Sequence, residues 1–274
     1  MESRWPEALA SIESKIRQSG RISADDVLAL RRAIYQDGSI GRDEADFLLE
    51  LNRQSRGDDP AWAEFYVEAL TDFLYWREGS DSVLTEDAER MLMDWIGPAD
   101  SIDDGTELRL LLRLMFRSNG SSETFRSYVL DAVRHSVLHS RQALYGHSER
   151  TPGAIDAADV EVIRKLVYGL AGQSGMAIGA AEAEFLFELN RATAGAANAP
   201  GWRDLFVKAV TMHLLFAGDS PDRIDAAEAH WLLAQIRPDQ ANLDNERALL
   251  AYLQREAGLH SLLLPLCERL GVQP

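Results

Sequence analysis

The chain repeats itself. Phe47-Leu48-Leu49-Glu50-Leu51-Asn52-Arg53 returns as Phe185-Leu186-Phe187-Glu188-Leu189-Asn190-Arg191, with six identities in seven positions at a separation of 138 residues. Pro60-Ala61-Trp62 then returns as Pro200-Gly201-Trp202 at a separation of 140, so the loop between the two motifs has gained two residues. Self-similarity at one long period implies one structural unit used twice. A length of 274 residues agrees, at about 150 residues per domain. The junction is expected in the polar stretch 146–156, which contains Thr151-Pro152-Gly153, giving modules 1–148 and 149–274.

Within the repeat the pattern is helical. Apolar residues recur at three and four, as in Val27, Leu30 and Ile34, and no stretch alternates with period two. Helical runs are predicted at 62–75, 85–95, 107–117, 122–144, 159–168, 180–193, 202–216, 226–236, 245–256 and 260–270. Most Gly and Pro residues fall between them, as at Gly97-Pro98 and Arg237-Pro238. The expected fold class is all-α, two tandem repeated modules built from helix-loop-helix units. Trp62 and Trp202 occupy equivalent repeat positions, which predicts a packing role for both.

Each half contains a shorter signature twice: a loop, an aliphatic residue, a position four later in the first helical turn, and large apolar residues at seven and eight. The copies run from Asp37-Gly38-Ser39-Ile40 to Glu44, from Asp81-Ser82-Val83-Leu84 to Ala88, from Gly175-Met176-Ala177-Ile178 to Glu182, and from Asp222-Arg223-Ile224 to Glu228. Asp-Gly-Ser-Ile-x-x-x-Glu is the back half of a calcium loop, with glycine at the turn and a bidentate glutamate at the end. In that register the first and third ligand positions are Ala33 and Tyr35, leaving Asp37 and Glu44 as the acidic ligands. A hard cation takes six or more oxygens. The candidate ligands are therefore Asp37, Glu44, Asp81, Glu182, Asp222 and Glu228. Helix capping is the preferred reading of the glutamates: with Gly41, Thr85, Gly179 and Asp225 as N-caps, the residue three later is Glu44, Ala88, Glu182 or Glu228, and a glutamate there reaches back to the free amide.

Two Asp-Gly-x-Ile-x-x-x-Glu-type loops per helical module, each followed by a Phe-Leu or Trp-Leu pair, resemble the bacterial tellurite-resistance TerB family. The first loop matches that motif; Gly175-Met176 lacks the aspartate, Asp222-Arg223 lacks the glycine, and the loop at Asp81 lacks the glutamate. The resemblance implies two tandem modules, acidic loop residues linked to cation binding, and membrane-associated stress complexes. It implies no catalytic residue.

The charge, 28 basic against 44 acidic residues for a net of −16, repels a phosphate backbone, so nucleic acid is not an expected partner. No apolar run approaches the ~18 residues of a membrane span, and the single cysteine, Cys267, fits a reducing compartment, so a cytoplasmic location is expected. His135 and His139 stand four apart, a spacing that suits zinc, with Asp131 or His147 as a third ligand. No nucleophile elbow, phosphate loop or dinucleotide fingerprint is present. The sequence therefore points to a non-catalytic interaction protein with a protein partner. No cofactor is expected; a divalent cation such as calcium at the loops is the alternative to the capping reading. The alternative is a metal-dependent hydrolase using the loop carboxylates or the His135 and His139 pair.

Overall fold

Ser23 shows how these helices start. Its hydroxyl accepts the Asp26 N–H at 3.3 Å, while Asp26 Oδ2 accepts the Ser23 amide at 2.9 Å and its hydroxyl at 2.6 Å. Lys15 donates to the same carboxylate at 2.7 Å, tying the preceding helix to this one. Burial raises the Asp26 carboxyl, but the bonds from Lys15 and Ser23 outweigh it and hold the group below its ordinary value.

A computed structural model describes residues 7–55, 60–77, 83–102, 105–144, 149–173, 178–216, 223–237 and 243–272. Among these are thirteen α-helices and no strand, as the periodicity predicts. Gln142 and Glu149 form a lone antiparallel bridge. The chain divides into two compact units, Met1–Ala132 and Val133–Pro274.

The first unit holds α1 (Glu7–Ser19), α2 (Ala24–Ile34), α3 (Arg42–Gln54), α4 (Pro60–Arg77), α5 (Glu86–Ile96), α6 (Gly105–Arg117) and the start of α7 (Glu123–His139). Here α4 packs against α2, α3 and α6. Its Phe65, Tyr66, Ala69, Leu70 and Leu74 are fully buried, because the helix is apolar on most of its faces.

The second unit holds the end of α7, then α8 (Ala157–Gln173), α9 (Ala180–Ala192), α10 (Pro200–Phe216), α11 (Ala226–Gln235), α12 (Asp244–Glu256) and α13 (Leu264–Leu270). In it α10 is the central helix, packed against α8, α9 and α12. Each Leu or Phe buried this way contributes about 1.5–3 kcal/mol relative to exposure.

Two predicted runs end differently from expectation. The run 122–144 stops at His139 because the chain turns back on it: Gly153 N–H donates to the Val137 carbonyl at 2.9 Å and Arg150 Nη1 to the Ser136 carbonyl at 2.7 Å. These bonds satisfy carbonyls that the end of a helix leaves open. The run 260–270 splits into a short 3-10 turn, Ser261–Leu263, and α13, since Pro265 fits the first turn of a helix but not its interior. No described helix is long and apolar enough to cross a membrane.

The four aliphatic loop residues are buried: Ile40, Leu84, Ile178 and Ile224 are each at most 6% exposed. Ile178→Ala is expected to cost about 2–4 kcal/mol through the cavity it leaves, with a matching fall in the urea midpoint. An unchanged midpoint would contradict this packing.

Candidate functional site

The loops that carry the candidate cation ligands do local structural work. Gly41 is the N-cap of α3, and its amide donates to Glu44 Oε2 at 3.1 Å. Asp225 caps α11 in the reciprocal arrangement, with its amide on Glu228 Oε2 and the Glu228 amide on Asp225 Oδ1, both at 2.9 Å. Thr85 Oγ1 accepts the Ala88 amide at 3.3 Å at the start of α5. Gly179 caps α9, and a Cβ there would lie 2.5 Å from Glu182 Oε2, so the glutamate folds back over the bare glycine. The same crowding holds at Gly41, where a Cβ would sit 2.7 Å from Glu44 Oε2. At both N-caps an added Cβ would press only on the flexible end of the glutamate.

Asp37 is exposed and accepts the Ser39 amide at 3.1 Å, across a turn in which Gly38 has φ +83°. Tyr35, at a ligand position of the calcium register, instead donates its hydroxyl to Asp72 at 2.9 Å. Asp81 and Asp222 lie outside the described residues, as does His147. The rings of His135 and His139 are adjacent, with centroids 4.8 Å apart. Among the described residues no group of three or more His, Cys, Asp or Glu side chains is placed to hold a metal ion.

Glu44→Gln is expected to keep nearly all of the stability, because glutamine preserves the bond to the N-cap amide. Calorimetry should then register no calcium heat in either protein. Micromolar binding by the wild type that disappears in the variant would reverse this assignment.

A different place gathers polar side chains. The loop after α9 and the N-termini of α10 and α12 enclose a cleft of about 510 Å³ in the second unit. At its base Trp202, 1% exposed, donates its indole N–H to Asn190 Oδ1 at 3.1 Å. Asn245 Nδ2 donates to the same oxygen at 2.6 Å, which uses both of its lone pairs. The Asn190 amide nitrogen therefore faces the other way and donates to Glu246 Oε1 at 2.9 Å. Arg203 Nε closes the chain on Asn245 Oδ1 at 3.1 Å.

Glu246 is 2% exposed, and its Oε2 is buried with no hydrogen-bond partner. Burial pushes the carboxyl above the ordinary glutamate range, against its own backbone amide, Asn190 and the Arg191 charge, which pull it down. A raised folded value favours the native state at low pH and withdraws that stability as pH rises through it. Relative to Glu246→Gln, the wild type should therefore lose stability as pH climbs above the unfolded value near 4.5, measured as urea midpoints across that range. Midpoints that move in parallel would refute the assignment.

No sequence motif marks Asn245, Glu246 or Arg203. Asn190 and Trp202, which they surround, belong to the repeated motifs. In the first unit Trp62 donates to Asn52 Oδ1 at 2.9 Å, the counterpart of the bond from Trp202. The neighbouring arginines also act alike: Arg53 donates to the Trp95 carbonyl at 2.7 Å and Arg191 to the Gln235 carbonyl at 3.2 Å, each at the end of a helix. The repeated Leu-Asn-Arg motif is thus a helix clamp in both places.

No protein-family model matches the chain, and neither does any curated protein or solved structure.

Proposed function

We propose that this chain is a non-catalytic helical interaction protein, made of two tandem modules of the TerB-like kind. It holds a protein partner in a cytoplasmic, stress-related complex of a bacterial cell. The observation that carries the reading is the repeated clamp: Asn52 with Trp62 and Asn190 with Trp202 make the same bond, and Arg53 and Arg191 each hold a helix-end carbonyl. The polar residues that recur are spent on holding helices together, as in a scaffold. The cleft of the second unit is lined by amides, carboxylates and a guanidinium, groups that recognise a partner by hydrogen bonding.

A photo-crosslinking residue at the exposed Ala196, on the rim of the cleft, tests this in the native cell. One defined protein should be captured, and its capture should be lost when Arg203→Glu is added to a folded chain. No specific adduct, together with a metal-stimulated hydrolysis that His135→Ala removes, would overturn the proposal in favour of an enzyme.

A further inference from the structure

One asparagine stands apart from the others. Asn52, Asn190, Asn198 and Asn245 commit their side-chain amide groups to hydrogen bonds, and each precedes a residue with a side chain, Arg53, Arg191, Ala199 or Glu246. Asn242 lies outside the described residues and precedes Leu243. Asn119 is exposed, makes no such bond among the described residues, and precedes Gly120 in the chain's single Asn-Gly pair. The pair sits in the turn between α6, which ends at Arg117, and α7. We propose that Asn119-Gly120 is a self-modification site, at which the backbone rearranges to isoaspartate and loosens this turn.

The nucleophile is the Gly120 amide nitrogen and the electrophile is the Asn119 side-chain carbonyl. Hydroxide takes the amide proton, and the nitrogen attacks Cγ of Asn119. An N–Cγ bond forms, the Cγ–Nδ2 bond breaks, and ammonia leaves with a proton from water. The five-membered imide then adds one water. Opening at Cγ gives aspartate; opening at the main-chain carbonyl gives isoaspartate, in which the backbone runs through Cβ and Cγ. One water is consumed and one ammonia released, so water is the only co-reactant.

Ring closure needs an uncrowded nitrogen and a backbone free to turn. Glycine brings no side chain to the attacking residue, and a Cβ built at Gly120 would meet nothing within 4 Å, so the imide has room to form. The Gly120 amide is outside any helical ladder and reaches the Ser118 hydroxyl at 3.3 Å. At the other described asparagines both conditions fail. The amides of Arg53, Arg191 and Glu246 lie within helices, and that of Ala199 donates to the Ile155 carbonyl at 2.7 Å.

This turn registers a single inserted methylene. The Ser118 hydroxyl donates to the Gly120 carbonyl and accepts the Leu84 amide at 3.5 Å, ahead of α5. Two residues beyond Gly120, the Ser122 amide donates to both Glu89 oxygens, at 3.0 and 3.3 Å, and Ser122 Oγ accepts the Phe125 amide at 3.1 Å. Isoaspartate lengthens the main chain between these two anchors and adds a negative charge. The charged and titratable groups around the turn are Glu89, Arg117 and Glu123, with Arg126 on the Ser121 carbonyl at 3.0 Å and Tyr75 on the Leu114 carbonyl at 3.4 Å. Because the attacking atom is a backbone amide, the rate follows hydroxide and not the titration of any of them.

Incubation of the full chain at mildly alkaline pH, followed by trypsin and mass spectrometry, tests the site. Cleavage after Arg117 and Arg126 releases the peptide 118–126, in which Asn119 is the single asparagine. This peptide should gain one mass unit over days, faster as pH rises, with the isoaspartyl product in excess and a substrate for protein isoaspartyl methyltransferase. Gly120→Ala keeps Asn119, needs no positive φ, and should slow conversion at least about tenfold. Asn119→Asp carries the charge without the methylene, so freshly prepared it should match the urea midpoint of fresh wild type. Aged, isoaspartate-rich wild type should fall below both, and Gly120→Ala aged alongside should not. An unconverted peptide, equal rates in wild type and Gly120→Ala, or an undiminished midpoint in the aged wild type would overturn the proposal.

Discussion

Replacing Asp159 by alanine is expected to destabilise the second unit by about 3–5 kcal/mol, the cost of stranding a buried charge. Asp159 and Arg150 form an ion pair of 2.9 Å in which each side chain is 1% exposed. The guanidinium also donates to the carbonyls of Ser136 and Ala154, so one arginine joins the end of α7, the following loop and the start of α8. Asp159 has a second role, because its Oδ2 accepts the Asp156 amide at 3.0 Å while Asp156 Oδ1 accepts the Asp159 amide at 2.8 Å. Burial pushes this carboxyl up, while the Asp156 amide and the Arg150 charge pull it down. Alanine removes the acceptor for the Asp156 amide and leaves the guanidinium with carbonyls alone. Asp159→Asn separates the two roles, since it retains an acceptor for the cap but no charge, and most of the loss should remain. Replacing both partners by leucine should recover much of the stability, because a buried pair is worth little over well-packed apolar groups. Urea unfolding decides the matter: a fall below about 1 kcal/mol in Asp159→Ala would place the pair among weak surface contacts.

Truncating either clamp tryptophan is the second large effect. Trp62→Ala and Trp202→Ala should each cost about 3–5 kcal/mol, because each ring is 1% exposed and its loss opens a cavity. Trp202 packs on Phe206 with centroids 6.3 Å apart, and Trp62 packs on Tyr66 at 5.7 Å. Phenylalanine at either site isolates the polar part of the effect, since it fills much of the space and removes the donor to Asn52 or Asn190. A cost of about 1–3 kcal/mol is expected at Trp62, the penalty of a buried acceptor that loses this bond, and a smaller one at Trp202, where Asn190 Oδ1 still accepts from Asn245. If Trp→Phe is neutral in both units by thermal and urea denaturation, the indole bonds are incidental and the repeated motif reflects packing alone.

The sequence by itself determined the all-helical class, the helix starts and the burial of the loop aliphatics. These depend on neighbours within one or two turns. Glu44 reaches Gly41 and Glu228 reaches Asp225 because three residues along the first helical turn bring them together, whatever else the chain does. Ile40, Leu84, Ile178 and Ile224 could be read as core because each opens a helix whose apolar face continues at seven and eight. Equivalence across the repeat likewise marks Trp62 and Trp202 as buried. Only the tertiary structure decided the cleft. Asn190 and Glu246 are separated by 56 residues, and Arg203 and Asn245 by 42, so no local pattern announces their hydrogen bonds. Glu246 carries the periodicity of an ordinary glutamate in a first helical turn, and its withdrawal from water follows from how α10 and α12 pack. Arg150 and Asp159 make the same point from closer range: nine residues apart, they form a fully buried pair because the loop between them folds back onto the end of α7. Charge type is written in the sequence, whereas the dielectric around a charge is set by what packs over it.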